Sequence, residues 1–330
     1  MEVVDKPFID LDKQIKKLTS RGLKILNVEK AKHQLIKTTY YDLINGYKDM
    51  FLLPKSTRSE DDKFIDGTTI EDIIELYELD RQIRNATLEI LLDIECRFYS
   101  SVSYSLGKLY GEKEEDYLNI DNFKRGKIQT HNNRLERVNL FEKIEEKIHR
   151  PRIQPLKYYR RKYGNIPPWI LVKDLTFGEI VKLYQLSPRE LKVMVVSNIL
   201  GHEPNENDFE YFSSGIKLFN TFRNWAAHGG RMYNFKSRIE FPFIEYHHEV
   251  FSINKGDYNK GRGKKDFTAL ITATLFFLKK DYQDIIEFLI KIRTYLDHYQ
   301  KSNPLQYEKV LFEMGLPSNY YQSLHNTMFK

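Results

Sequence analysis

Between residues 221 and 234 the chain reads TFRNWAAHGGRMYN, and Arg223, Asn224 and His228 within it are of the types that handle a phosphate ester. A guanidinium offers forked donors to phosphate oxygens, an imidazole trades protons near neutral pH, and a side-chain amide can orient either. On a wheel of about 100° per residue, the helix predicted over 209–228 aligns Phe212, Ile216, Phe219, Ala226 and Ala227 in one apolar stripe, with Arg223 in its middle. An unpaired arginine there costs on the order of several kcal/mol, so it must meet a carboxylate or face a cleft that admits an anion. His228 precedes Gly229-Gly230, which should end the helix. The helix dipole there favours the protonated imidazole and the nearby Arg223 opposes it, holding the ring near neutrality. The five-residue gap sets Arg223 and His228 about 140° apart on an ideal helix, with Asn224 on the histidine's face. Convergence on one phosphate therefore requires a groove between helices or between two chains, with the long Arg223 side chain bending round, or a distorted last turn. A second Arg-x-x-x-x-His, at Arg293 and His298, lacks the following asparagine and is background.

A second helix, starting at 69, must position these groups. Asp80 falls on its stripe of Leu76, Ile83, Thr87, Ile94 and Phe98, with Arg84 and Glu95 at the edge. One reading is a buried ionic network in which Asp80 or Glu95 holds Arg223 or Arg84. The other, compatible with it, is that the network orients Arg223 toward a phosphate.

Apolar residues recur every three or four positions over 9–19, 28–44, 69–109, 134–149, 176–200, 209–228 and 266–301, which predicts an all-α fold. Thr68 or Thr69, followed by Glu71 and Asp72, should cap the helix from 69. The best strand candidate, 238–253, is interrupted by Pro242, so a short hairpin or irregular segment is expected there. The organisation expected is an N-terminal helical region, 1–67, packed on a larger helical domain, 68–330.

The 330 residues are 41% hydrophobic, enough for a real core, and carry a net charge of +6, which permits nucleic acid without demanding it. Basic residues gather in two places. Lys157, Tyr158, Tyr159, Arg160, Arg161 and Lys162 mix cations with stacking rings, suited to RNA or to a solvated helix face. Lys260, Arg262, Lys264 and Lys265 lie in the Gly- and Lys-rich stretch 254–265, expected to be a mobile loop that either trails over an RNA phosphate backbone or has no role. His247-His248 has no further ligand placed with it, so no metal site and no cofactor are expected. Cys96, alone in an apolar helical run, reads as buried filler. No stretch is apolar enough to span a membrane, and the acidic start MEVVDKPFIDLDKQ is unlike a secretory leader, so a cytoplasmic protein is expected.

The segment TFRNWAAHGGRMYN resembles the Arg-Asn-x-x-x-His signature of HEPN domains, in the form found in the bacterial Abi abortive-infection family of the AbiD and AbiF type. Three further blocks are similar to that family in the same order: RGLKILNVEKAKHQLIKTTYYDLINGYKDMF, LYELDRQIRNATLEILLDIECRF and PPWILVKDLTFGEIVKLY. The resemblance implies a HEPN-like helical bundle, with additional N-terminal helices, whose signature helix lines a cleft usually completed by dimerisation. It also implies kinship with the nuclease domains of RNA-cleaving CRISPR effectors, and a small structured noncoding RNA as a partner. Position by position, Arg223, Asn224 and His228 match the signature, Arg231 and Asn234 the residues after it, and Asp80, Arg84 and Glu95 the central helix. The second histidine common after His228 is Gly229 here.

The chemistry expected is metal-independent RNA cleavage, in which His228 moves the proton of an attacking ribose 2′-hydroxyl and Arg223 stabilises charge on phosphorus. The rival expectation is a module that holds a structured RNA without cutting it. RNA and a second copy of the chain are the partners expected, with no membrane.

Overall fold

The computed structural model describes residues 8–57, 59–130 and 132–323. Residues 1–7, where the acidic start was read, and 324–330, the end of the expected larger domain, lie outside the described residues. The fold is all-α, as the periodicity predicts.

Its axis is the helix Ile70–Tyr110, 41 residues and so about 60 Å long. Thr69 and Asp72 close a capping box at its start, and Gly111, at φ +86°, ends it. Apolar residues on several of its faces are buried, which is why it sits inside the bundle. The helices Arg189–Leu200, Glu206–Ala227 and Tyr282–Ser302 pack against it. A ring cluster locks the layers: Phe98 meets Tyr184 at 5.5 Å and Phe212 stacks on Phe277 at 4.5 Å. Each such buried ring is worth roughly 1.5–3 kcal/mol.

The N-terminal helices Leu11–Ser20 and Val28–Thr38 join the same contiguous core. Two ties fix them to the axis: Lys24 bridges Thr69, and the Tyr47 hydroxyl donates to Asp80 at 2.8 Å.

Several expectations on elements need correction. Of the two expectations for 238–253, the irregular segment holds and the hairpin does not. Phe241 is buried and its N–H donates to Lys264 O, so the chain is pinned before the short helix Glu245–Glu249. Among the described residues the paired strands are Ile128–Gln129 and Arg134–Leu135. The stretch 254–265 is not a bare loop: Asn254 caps a helix, Lys255–Asn259, and Lys264 O and Lys265 O accept from Phe241 and Ser237. The pattern over 176–200 breaks at Ser187-Pro188 and that over 266–301 at Lys279–Asp281, each giving two helices. The helix Pro304–Met314, started by a proline at its first turn, went unanticipated. Cys96 is exposed, on the outer face of the axis helix, rather than buried.

Candidate active site

The helix Glu206–Ala227 starts at a capping box between Asn205 and Asp208 and ends with His228 as its C-cap. Its buried face is Phe212, Ile216, Phe219, Phe222 and Ala226, and Ala227, expected on the same stripe, is exposed. The stripe is thus centred one position away from the prediction, and Arg223 lies at its edge with a side chain 31% exposed. From there Arg223 Nε donates to Glu95 Oε2 at 3.0 Å across to the axis helix. The Tyr99 hydroxyl, one turn on, bonds the other Glu95 oxygen at 3.0 Å and Leu175 O at 2.9 Å. Burial first and the Glu95 charge second push the Tyr99 phenol up, so it stays a donor. Glu95 is therefore held on both oxygens, and it grips Arg223 by Nε. The two terminal nitrogens of Arg223 have no hydrogen-bond partner among the described residues.

Asp80 plays a different part from Glu95. Fully buried, it accepts from Met232 N at 2.8 Å and Tyr233 N at 2.7 Å on one oxygen, and from the Tyr47 hydroxyl and Arg84 Nη1 on the other. Burial pushes its carboxyl up while these donors push the other way. The loop after the signature is thereby bolted to the axis helix and to the N-terminal region. Of the pairings left open by the sequence, the structure has Glu95 with Arg223 and Asp80 with Arg84.

His228 is exposed and opens on a cavity of about 540 Å³, lined also by Lys37, Tyr41, Arg84, Trp225 and Arg231. Arg84 Nη1 reaches Gly229 O at 3.4 Å, and Arg231 donates to Gly46 O. Trp225 Nε1 donates to Arg231 O at 2.7 Å and its ring stacks on Phe235 at 4.6 Å. A Cβ on Gly230 would come within 2.3 Å of the Trp225 ring, so any larger residue there must displace the indole. Neither Arg223 nor Asn224 lines this cavity. Asn234 lines a separate cavity with Asp49 and Glu313.

The two basic clusters lie apart from the signature. Arg160 is occupied by Glu114, Ile148 O and Gly164 O, and Lys162 bonds the Tyr158 hydroxyl at 2.7 Å. Tyr158 and Tyr159 pack on one another, while Lys157 and Arg161 are exposed. Lys264 and Lys265 both pair with Glu240, Arg262 bonds Gly315 O and Lys260 faces a cavity beside the helix Pro304–Met314. Of these eight cations, Arg160, Lys264 and Lys265 have a carboxylate partner among the described residues. Arg293, the background match, stacks over Tyr321 and pairs with Asp297.

Compared with family models, residues 33–234 match the model described as Abi-like protein, more than half of the chain. The chain belongs to this Abi-like family. Neither the curated proteins nor the solved structures compared with it give a match. The matched Abi-like region ends at Asn234, so it takes in the signature helix, the Asp80 bolt and the Glu95 grip together. Sequence reasoning missed Tyr47, which carries no signal, and Tyr99, whose spacing of four from Glu95 was such a signal.

Proposed function

We propose that this Abi-like chain is a HEPN-type ribonuclease of abortive infection that cuts RNA without needing a metal ion. The observation that carries the reading is the state of Arg223: gripped at Nε by Glu95, its two terminal nitrogens unpartnered, on the same helix that ends in a solvent-open His228. A guanidinium steered in this way is preorganised for the oxygens of a phosphate. His228 takes the proton of the ribose 2′-hydroxyl as that oxygen attacks phosphorus. The bond from phosphorus to the 5′-oxygen breaks, that oxygen takes up a proton, and a 2′,3′-cyclic phosphate and a 5′-hydroxyl remain. Arg223 carries the charge that builds on the phosphoryl oxygens, and Asn224, between them, orients phosphate or imidazole.

Because Arg223 stands outside the cavity on which His228 opens, a second copy of the chain completes the cleft in this reading, giving a homodimer. A structured noncoding RNA restrains the enzyme until infection, in the cytoplasm. The same separation favours one alternative, a cleft that holds RNA without cutting it. His228→Ala separates them: cell toxicity and RNA cleavage should vanish while RNA affinity stays nearly intact. A variant as toxic and as active as the parent, or a parent that never cuts RNA, would overturn the nuclease reading.

A further inference from the structure

Opposite the buried stripe of the helix Glu206–Ala227, Lys217, Asn220, Asn224 and His228 follow at spacings of three and four, and none of them is buried. Asn220 and Asn224 are joined by a side-chain hydrogen bond of 3.4 Å. Lys217 and His228 thus stand at the two ends of a polar track about 16 Å long.

At the Lys217 end other cations gather. Lys192 Nζ donates to Gln185 O at 2.7 Å and sits 5.7 Å from the centre of the Tyr184 ring. The Lys124 N–H donates to Leu186 O at 2.7 Å, which brings that exposed lysine to the end of the same helix, Phe177–Leu186. Burial first, then the charges of Lys124, Arg189 and Lys217, push the Lys192 amino group down to about 8. Arg189 pairs with Glu206, but among the described residues Lys124, Lys192 and Lys217 have no salt-bridge partner. The nearby lysines Lys147 and Lys182 are matched by Glu179 and Glu136. Cations gathered without carboxylates repel one another in the free protein, and a polyanion relieves that repulsion.

We infer that Lys124, Lys192 and Lys217 anchor the phosphate backbone of single-stranded RNA that runs on past Asn220 and Asn224 to His228. This rests on the RNA-acting reading above and names where the strand lies. Ammonium groups read charge and not base edges, so the anchor is sequence-tolerant. The track also explains why Asn224 and His228 face the solvent side, away from the helix's packed stripe.

The test uses the full chain carrying His228→Ala, so that the probe stays whole, and a labelled single-stranded RNA of about 12 nucleotides. Affinity is read by fluorescence anisotropy between about 50 and 200 mM KCl. Each single-strand phosphate contact adds about 0.7 to the slope of log affinity against log salt. Lys124→Gln, Lys192→Gln and Lys217→Gln together should flatten the slope by about 2 and weaken binding at least about tenfold. Lys124→Gln with Lys217→Gln, leaving the half-buried Lys192 in place, should remove about 1.4 of slope and guards against misfolding of the triple variant. An unchanged slope in a folded double variant, or the loss falling instead on Lys157→Gln with Arg161→Gln, would overturn the track and leave the RNA reading standing. A parent without salt-sensitive RNA binding would overturn both.

Discussion

Glu95 and Asp80 lie fifteen positions apart on one helix, and their environments divide the work between them. Glu95 grips the half-buried guanidinium of Arg223, whereas Asp80 saturates backbone donors deep in the core. Glu95→Ala should therefore lower the cleavage rate about 10- to 100-fold through misplacement of Arg223, with RNA affinity little changed and partial rescue by Glu95→Gln. Single-turnover kinetics with matched binding curves check this, and equal losses in rate and affinity would contradict it. Asp80→Asn keeps one acceptor oxygen and turns an amide on buried donors, so unfolding in urea should show a loss of about 1–3 kcal/mol. The polar intrusions at 80, 95 and 223 were legible from the sequence, because charged groups on apolar stripes must find partners. Which carboxylate takes which arginine was not legible, since it depends on the rotation of two helices about their axes. Arg223 looked more buried than it is because an ideal wheel cannot show that Phe222, rather than Ala227, carries the packed face at the helix end.

At the scale of elements, the turn after the signature is held by Asp80 and by the Trp225 indole. Gly230→Ala would drive a Cβ into the Trp225 ring, and should displace that indole from Phe235 and from Arg231 O. The expected result is a shift in tryptophan emission together with reduced cleavage. Gly229, at φ +75° with open space beyond its Cα, meets no such wall, so Gly229→Asn should fold at a cost of about 1 kcal/mol. The short helix Glu245–Glu249 carries a pH dependence of its own. Burial first, then the charges of His248 and Lys279, push the His247 imidazole down to about 4. The unfolded chain binds that proton near its ordinary value of about 6.5, so the stability from a neutral His247 is present above that pH and shrinks as pH falls toward 4. His247→Gln should flatten this part of the acid limb in thermal melts taken from pH 7 to pH 4. The segment 238–265 was the least legible in the sequence. Apart from the Asn254 cap, its residues are fixed by partners distant in sequence, such as Gly315 for Arg262 and Lys264 for Phe241.

Over the whole molecule, helical periodicity carried the fold class because the axis helix is long, capped at both ends and flanked by amphipathic partners. The resemblance in four ordered blocks carried the family, and the match over residues 33–234 agrees with it. Arg223 does not line the cavity on which His228 opens, and this motivates the proposed second copy. Sedimentation of the purified protein should accordingly give twice the protomer mass, and a strict monomer that still cleaves RNA would contradict a cleft shared between copies.

Metal-independent cleavage of this kind requires the ribose 2′-hydroxyl as nucleophile. Purified parent protein is incubated with an RNA it cuts and with the same RNA carrying a single 2′-deoxyribose at the cut position, both in excess chelator. The first should be cleaved, leaving a 2′,3′-cyclic phosphate, and the bond at the substituted position of the second should stay intact. Cleavage of both at similar rates, or products ending in a 5′-phosphate, would contradict this mechanism.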